Sequence, residues 1–548
     1  MSSRPQPTVA YFSAEYAIAD DLPIYAGGLG VLAADVVLEA GRGASPFYAL
    51  GLVYHHDFTG DDPDQRPMIE RLAANGFELA TTADGKNLLI NILIADRKVT
   101  LRAWIKHFGP AQLILLDSHI NSNDPIDQSI CDYLYASHLE LELAQEMALG
   151  FGGLAVLKAL GVTPEVYHLN EGHTAPTGLA VVLAAMQRDG LTFEAAVTAM
   201  KLHMVGTKHT ILPGAGILVD WGTVARQLEP TLTKAGATID ELKAIATKAN
   251  GDYSDTKLML ELTHITSGVS QIHVAAELHD HPSCALIPIT NGVSRQRWIA
   301  PNWGDAPSKL SDLELWNTHC ANRRQLLAFV KETDQTVLDP DTLTVVWARR
   351  MTAYKQPGLL AEDLERLDRL VNHADRPVQF IVAGKANPAD TVGVELMNRI
   401  EAASQHSQLK HRFAYLPHYN PASAKFLVRG ADLWLNTPIR GYEACGTSGM
   451  KASLNGALQF STSDGWIDEV SADTIGWILP EGARSNVLYD TLEQAVAPLY
   501  YDRTNDVPTA WVQRMRANIS LIDEHFTTRR MLADYYDKLY RPSVSDPE

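Results

Sequence analysis

The sequence predicts an α/β protein with two doubly wound Rossmann-like domains. Short apolar runs alternate with segments of helical periodicity, a pattern typical of parallel sheets covered by helices. In the second half the apolar runs begin about 20 to 35 residues apart, which is the spacing that βαβ crossovers require. The 548 residues are enough for two such domains. We therefore expect two parallel-sheet domains that face each other across a cleft.

The first half contains four segments that periodicity assigns. A helix is expected behind a glycine turn at residues 27–30, where apolar residues recur at helical spacing. Residues 47–54 are expected to form a strand, and residues 130–160 a long helix interrupted by glycines. A strand over 166–169 then ends at Asn170 and Glu171. Because catalytic groups often lie at the carboxyl ends of parallel strands, this strand end is a candidate site.

The second half begins with a helix over 311–333 that is polar on one side. Strands are then expected at 343–347, 378–383, 413–416, 433–436 and 458–461. Helical periodicity returns over 510–540, and we expect this tail to pack back on the first domain. We place the domain boundary where the second series of strands begins, which gives domains of residues 1–325 and 326–548.

The charge balance excludes several classes of function. The chain has 46 basic and 65 acidic residues, a formal net charge of −19, so its surface repels nucleic acid and anionic lipid. No apolar run reaches the roughly 18 residues that span a bilayer, and the first ten residues do not resemble a secretory signal. The four cysteines lie far apart, without a zinc or disulfide pattern. We expect a cytoplasmic protein.

Two local patterns suggest anion binding. The turn that contains Gly27 and Gly28 opens a helix, and helix starts present unpaired N–H groups to anions, although a tight connection without a ligand explains it equally well. Arg349, Arg350 and Lys355 directly follow a predicted strand, and their side chains fit a doubly charged oxyanion. The alternative is a solvated helix start whose cations pair with nearby acids.

A third pattern lies at residues 446–451. Gly446, Thr447 and Ser448 supply backbone and hydroxyl donors at a helix start, which is enough to hold a phosphate group. Lys451 follows between apolar neighbours, so it could be desolvated and form a Schiff base. The residues alone favour an ordinary surface lysine. Histidines 273, 279 and 281 follow no known metal-ligand spacing, and we expect no metal.

Eight segments of the chain match one enzyme family in that family's order. They cover residues 11–16, 22–30, 168–173, 207–210, 289–293, 348–355, 383–386 and 443–456. On these segments the chain resembles the α-glucan phosphorylases, which act on glycogen or maltodextrin, in their short form. Eight ordered matches are far more specific than any one of them.

The resemblance implies a GT-B-type fold with pyridoxal 5'-phosphate held as a Schiff base on Lys451. Residues 1–325 would bind glucan and phosphate, and residues 326–548 would bind the cofactor. Two phosphates in contact repel unless they share a proton and positive charge surrounds them. The resemblance assigns these supports as follows: Thr447, Ser448, Arg349 and Tyr419 to the cofactor, and Arg350, Lys355, Gly27, Gly28 and Leu29 to the substrate phosphate.

The implied reaction transfers the terminal glucosyl unit of an α-1,4-glucan to inorganic phosphate, reversibly and with retention, and gives glucose 1-phosphate. The phosphate of the cofactor would act as the proton relay. By the same resemblance the glucosyl hydroxyls would be held by His209, Asn291, Glu443, Ala444, Cys445 and Gly446. Glu171 and His173 would line the cleft, and the family's usual assembly is a homodimer.

Several residues depart from the family pattern. Cys445 stands where phosphorylases usually have serine, and Asn420 and Gln356 replace residues that are more often charged or basic. Gly214 follows Pro213 in a loop that is usually different. Two alternatives therefore stay open. One is a nucleotide-sugar glucosyltransferase similar to glycogen synthase, which would lack Lys451, and the other is a catalytically silent glucan-binding relative.

Overall fold

The computed structural model describes residues 6–57, 64, 66–136, 138–211, 216–388 and 390–541. The loop at Pro213 and Gly214 lies outside these residues. The chain divides into two units, and each is built around a parallel sheet. The first unit contains Met1–Val269, Val274–Ile289 and Met531–Glu548, and the second contains Ser270–His273 and Thr290–Arg530. The predicted α/β class with two parallel-sheet units is confirmed.

The first unit contains twelve strands among the described residues. They are β1 Val9–Phe12, β2 Phe47–Leu52, β3 Glu78–Leu79, β4 Leu89–Ile94, β5 Arg97–Phe108, β6 Ala111–Asp117, β7 Val166–Asn170, β8 Met204–Lys208, β9 Leu218–Val219, β10 Tyr253–Ser254, β11 Ile265–Gly268 and β12 Leu286–Pro288. The main sheet has the order β12-β11-β8-β7-β1-β2-β6-β5-β3, with β4 also paired to β5. The six pairs from β12 through β6 in this order are parallel. Strand β5 pairs antiparallel with β3, β4 and β6. The antiparallel part was not predicted.

The parallel strands β1, β7 and β8 of this sheet are buried along their whole length, as is usual for parallel sheets covered by helices. The helices are Gly28–Ala40, Met68–Ala74, Pro125–Gln128, Leu139–Met147, Gly153–Ala159, Ala175–Asp189, Phe193–Lys201, Trp221–Ala235, Ile239–Ala246, Asp255–Leu262 and Gln271–Asp280. The predicted long helix over 130–160 begins only at Leu139, and a π-helical turn, Ala148–Gly152, divides it. Strands β1, β7 and β8 end at the same sheet edge, which brings Ser13, Asn170 and His209 together.

The second unit contains a parallel sheet of six strands among the described residues. They are β13 Leu343–Ala348, β14 Val378–Ala383, β15 Phe413–Leu416, β16 Leu433–Asn436, β17 Leu458–Thr462 and β18 Gly476–Leu479, in the order β15-β14-β13-β16-β17-β18. The strand order reverses between β13 and β16. Ligands of doubly wound sheets bind at such a switch point, outside the carboxyl ends of the strands. Arg349 and the segment that leads to Glu443 follow these two strands.

The helices of the second unit include one that precedes its first strand, so the unit begins earlier in the chain than we expected. They are Arg295–Trp298, Asp312–Asp334, Leu364–Val371, Thr391–Ser404, Pro421–Gly430, Thr447–Ser453, Ala472–Ile475, Ser485–Thr491, Ala497–Tyr501 and Thr509–His525. We expected the boundary at residue 325, but the division lies between Ile289 and Thr290. The helix Asp312–Asp334 belongs to the second unit, because His319 and Arg323 both lie 2.7 Å from the buried Asp432 carboxylate.

The chain returns to the first unit at Met531, and its last described turn, Tyr535–Tyr540, packs in that unit's core. Tyr540 Oη lies 2.8 Å from His168 Nδ1, and His168 Nε2 lies 2.8 Å from Thr207 Oγ1. Burial, with the charge of His209, lowers the pKa of His168 to about 3, so this imidazole is neutral at pH 7. No described helix combines the length and the apolar character needed to cross a bilayer.

We expect Tyr540→Phe to destabilise the protein by about 1 kcal/mol, because it leaves the buried His168 nitrogen without its phenolic partner. The free energy of unfolding, measured from the urea transition of the first unit, gives this loss. Tyr536→Phe is the matched control, since the Tyr536 ring packs in the same core. Equal stability of the two variants would contradict the proposed role of this hydrogen bond.

Candidate active site

Arg349 and Glu443 form a buried ion pair at the switch point of the second sheet. Arg349 Nη2 donates to Glu443 Oε2 over 2.7 Å, and both side chains are largely shielded from solvent. Arg349 Nε and Nη1 are also buried and have no hydrogen-bond partner among the residues that the structure describes. Buried guanidinium groups rarely leave donors unused. Two donors are thus available to an acceptor that the protein itself does not supply.

Lys355 adds positive charge beside this pair. Burial lowers the pKa of Lys355 to about 7, against the attraction of Glu443, and the charges of Arg349 and Arg350 lower it further. Burial would raise the pKa of Glu443, but Arg349 and Lys355 hold it below the usual value. Arg350 is exposed. Three cations thus face one carboxylate, and a bound anion would balance the excess charge.

Asp464 holds the segment that presents Glu443. Its Oδ2 accepts hydrogen bonds from the backbone N–H groups of Gly441, at 3.0 Å, and Glu443, at 2.9 Å, and its Oδ1 accepts one from Gly465 at 2.9 Å. Burial, with the charge of Glu443, raises the pKa of Asp464 to about 6. The sequence analysis missed this residue. The signal available was an Asp-Gly pair directly after a predicted strand.

Lys451 lies on the short helix Thr447–Ser453, which begins after Gly446 in a left-handed conformation with φ of 81°. Its side chain is 8% exposed, and Nζ lies 4.2 Å from the centre of the Trp298 ring. The interpretation as an ordinary surface lysine is therefore wrong. At the helix start, Ser448 Oγ is buried without a hydrogen-bond partner in the described part of the chain. The hydroxyl is consequently available to a ligand oxygen.

Tyr419 and Asn420 lie at the start of the helix Pro421–Gly430. Burial raises the pKa of Tyr419 to about 12, and the charge of Arg349 opposes this shift, so the phenol lies within the electrostatic reach of the guanidinium. Asn420 Oδ1 accepts a hydrogen bond from the Ser423 N–H at 2.9 Å. Asn420 thus caps this helix, which explains an uncharged residue at a position where the family more often has a charge.

The segment with Ala444 and Cys445 is held by contacts with other residues of the second unit. Ser270 Oγ donates to the Ala444 carbonyl over 2.6 Å. Burial raises the pKa of the Cys445 thiol far above its usual value, and a hydrogen bond with the Asn291 backbone opposes this shift. Asn291 Oδ1 is buried, with no hydrogen-bond partner among the described residues. Cys445 is thus a neutral thiol beside Asn291, whose amide oxygen can still accept a hydrogen bond.

In the first unit, Glu171 has a strained backbone. Its φ of 82° and ψ of 162° fall in a region that is essentially restricted to glycine. The carboxylate accepts hydrogen bonds from the N–H groups of Gly172, at 3.1 Å, and His209, at 2.9 Å. Burial would raise the pKa of Glu171, but His209, Lys208 and His173 hold it below the usual value. Glu171 thereby joins the strand ends of β7 and β8.

His209 is oriented by one hydrogen bond of its backbone, to Glu171, and one of its side chain, to Asn170. Its N–H donates to the Glu171 carboxylate, and its Nε2 lies 2.6 Å from Asn170 Oδ1. Asn170 Nδ2 in turn donates to Ser13 Oγ over 3.2 Å. His173, two residues after Glu171, turns toward Tyr135, with ring centres 5.1 Å apart. The structure therefore brings His209 and Glu171 together, whereas His173 faces the interior of the unit.

The predicted anion site at Gly27 and Gly28 already contains a carboxylate. Glu15 Oε2 accepts hydrogen bonds from the N–H groups of Ala26 at 2.8 Å, Gly27 at 3.1 Å and Gly30 at 3.2 Å. Tyr135 donates to the other oxygen of Glu15. Space remains open around Gly27 and Gly28, where an added Cβ would meet no atom within 4 Å. An external anion would therefore meet the amides of Gly28 and Leu29.

Two α/β units with mainly parallel sheets, and cations at the strand switch of the second, are an arrangement that suits an enzyme acting on phosphate-bearing ligands. A family model described as carbohydrate phosphorylase matches residues 306–476. The maltodextrin phosphorylase of Thermococcus litoralis is 33% identical, over 98% of this chain and 71% of that protein. The glycogen phosphorylases of Mycobacterium tuberculosis and Aquifex aeolicus are each 31% identical, over 98% and 97% of this chain and 71% and 86% of their own lengths.

These matches extend over nearly the whole chain, with the ordered segments that the sequence analysis identified. The chain belongs to the carbohydrate phosphorylase family. The resemblance inferred from the sequence is thus confirmed, and so is the assignment to the glycosyltransferases.

We expect Glu171→Gly to be more stable than Glu171→Ala by about 1–2 kcal/mol, because only glycine adopts the backbone conformation of residue 171 without strain. Both variants lose the carboxylate, so their difference isolates the backbone. Urea denaturation at neutral pH measures it. If Glu171→Ala is at least as stable as Glu171→Gly, the backbone of residue 171 is not strained in solution.

Proposed function

We propose that this enzyme transfers terminal glucosyl units of an α-1,4-glucan to inorganic phosphate and releases glucose 1-phosphate with retention of configuration. The family membership supports the reaction type, since its named relatives are maltodextrin and glycogen phosphorylases. The buried pair of donors on Arg349 is the observation in this molecule on which the proposal mainly depends, because it suits an anionic ligand.

The residues around Lys451 suit pyridoxal 5'-phosphate. Lys451 is buried against the Trp298 ring, and such an amine can hold an aldehyde once it loses its proton. Ser448 Oγ and the two free donors of Arg349 are oriented toward no other described group, so they can hold a phosphate. Thr447 and Tyr419 complete the proposed cofactor set. When bound, the cofactor would supply a phosphate that exchanges a proton with the substrate phosphate.

The other cations of the second unit would bind the substrate phosphate. Arg350 is exposed and can move toward a ligand, whereas Lys355 is held next to Glu443. Lys355 titrates near pH 7, so it can carry or release a proton in the neutral range. Glu443 would accept hydrogen bonds from a glucosyl hydroxyl while it orients Arg349. These residues together would bind the dianion and balance its charge.

In each unit, further residues would hold the glucosyl group. We assign this role in the first unit to His209, with Glu171 fixing its backbone, and in the second to Asn291 and the segment Ala444, Cys445 and Gly446. The amides of Gly28 and Leu29 would support the phosphate, with Gly27 and Glu15 shaping the turn. His173 would act indirectly, since it faces the interior. Each unit would thus contribute residues that bind glucan and phosphate, and the second unit would also bind the cofactor.

The two alternatives from the sequence predict different properties. A nucleotide-sugar glucosyltransferase needs no pyridoxal phosphate, and a silent glucan-binding relative would form no glucose 1-phosphate. The burial of Lys451 favours the phosphorylase over both, because a buried lysine without a chemical role is costly. A homodimer and a cytoplasmic location stay predictions of the sequence.

We expect Lys451→Ala to abolish both the pyridoxal absorbance of the purified protein and glucose 1-phosphate formation from maltodextrin and phosphate. Lys331→Ala is the matched control, since Lys331 is an exposed lysine on a helix of the same unit. Borohydride reduction followed by peptide mass spectrometry would locate the fixed group on Lys451. A Lys451→Ala enzyme with unimpaired phosphorolysis would contradict the proposal.

The pKa of Lys355 makes phosphate binding depend on pH. Since this pKa is lowered to about 7, Lys355 is mostly charged below pH 7 and mostly neutral above it. From about pH 6 to about pH 8 the apparent KM for phosphate of the wild-type enzyme should rise roughly tenfold relative to that of Lys355→Arg, which stays charged. Initial rates against phosphate concentration measure both. Parallel pH profiles would show that Lys355 does not titrate at the phosphate site.

A further inference from the structure

A second group of titratable side chains lies inside the first unit. It consists of Glu146 on the helix Leu139–Met147, His173 on the turn Gly172–Thr174 and Asp255 at the start of the helix Asp255–Leu262. One ligand atom from each of the three lies within 4.8 Å of the other two. Glu146 is 3% exposed and Asp255 is fully buried. Three separate elements therefore direct potential metal ligands to one buried point.

The atoms that meet at this point lack ordinary hydrogen-bond partners, although the carboxyl groups of Glu146 and Asp255 lie close enough to share a proton. Both carboxylate oxygens of Glu146, Oδ2 of Asp255 and Nδ1 of His173 are buried, with no hydrogen-bond partner in the described part of the chain. The other oxygen of Asp255 accepts from the Thr256 N–H, which fixes the direction of Oδ2. A buried group of this kind calls for a bound ion, a water molecule or a shared proton.

Two acidic side chains meet at this buried point. Burial raises the pKa of Glu146, and the negative charges of Asp255 and Glu142 and a hydrogen bond with the Asp255 carboxyl group raise it further. Burial raises the pKa of Asp255 as well, with His173 as the strongest opposing influence. Two carboxylates in a dry interior repel each other unless a proton or a cation lies between them. The imidazole of His173 adds a third potential metal ligand beside them.

A small cavity adjoins the group and is lined by Glu142, Glu146, His173 and Tyr135. It lies on the side of Glu146 and His173, where it could admit a water molecule to a bound ion. Ligands of one tetrahedral ion lie roughly 3.4 Å apart at metal distances of about 2.1 Å. The three ligand atoms lie within 4.8 Å of one another, so they would move closer together on binding an ion.

We propose that Glu146, His173 and Asp255 bind a divalent transition-metal ion, with zinc as the best match. One imidazole nitrogen and two carboxylate oxygens form a mixed set of the kind that zinc accepts, and a water in the cavity would be the fourth ligand. The ion would tie the helix with Glu146 and the helix with Asp255 to the turn that follows Glu171. It would thus stabilise the strained segment of the first unit without contacting the phosphate-binding cations.

The test uses the full-length protein, stripped with chelator and titrated with ZnCl₂. We expect one zinc per chain by elemental analysis, and a Tm raised by roughly 5 °C at saturating zinc. Glu146→Gln and Asp255→Asn, which keep the shape of the side chains, should weaken zinc binding at least ~100-fold and abolish the Tm rise. His279→Ala, which removes an exposed histidine elsewhere in this unit, should bind zinc as the wild type does.

X-ray absorption of the zinc-loaded wild type provides a measurement that does not depend on the variants. It should show one imidazole and otherwise oxygen ligands, with no sulfur. The proposal is overturned if the wild type binds no stoichiometric zinc, if zinc binds equally well to Glu146→Gln and Asp255→Asn, or if sulfur ligands appear. The first of these outcomes would assign the group to two carboxylates that share a proton. None of them affects the proposed phosphorolysis, which is measured by glucose 1-phosphate formation.

Discussion

The buried ion pair between Arg349 and Glu443 is the interaction on which the account of the second unit depends. It connects the segments that follow β13 and β16, on the two sides of the strand switch. Loss of Glu443 would leave a buried guanidinium without its counter-charge, which typically costs about 3–5 kcal/mol. The pair uses one arm of Arg349 and leaves the other donors available. The same contact therefore stabilises the carboxyl ends of two central strands and leaves donors that can bind an anion.

Much of the fold follows from local patterns. The strands β14, β15 and β16 have the predicted bounds, because buried parallel strands are uniformly apolar and end at glycine or polar residues. The antiparallel hairpins of β3 to β6 were missed, since their alternation is weaker than the helical patterns around them. The domain boundary was misplaced because a helix does not reveal which sheet it covers. Its partner Asp432 is remote in sequence.

Some residues of the candidate site could be predicted from the sequence, whereas others could not. Arg349 and Lys355 were found because they directly follow a predicted strand, whereas Lys451 was assigned through the family resemblance. Asp464 and Glu15 were not, because each acts by accepting hydrogen bonds from the backbone N–H groups of another loop, which no residue pattern announces. The strain at Glu171 could not be found either, since no residue type announces a positive φ at a non-glycine position. The assigned roles of these residues stay predictions.

The most direct test of this account is a crystal structure of the protein with its natural cofactor content, soaked with inorganic phosphate. The account predicts a phosphate oxygen, from cofactor or substrate, within hydrogen-bond distance of both Arg349 Nε and Nη1 while Nη2 stays bound to Glu443. If those two atoms instead contact only protein groups or water, Arg349 does not serve an anion, and the account of the site is contradicted.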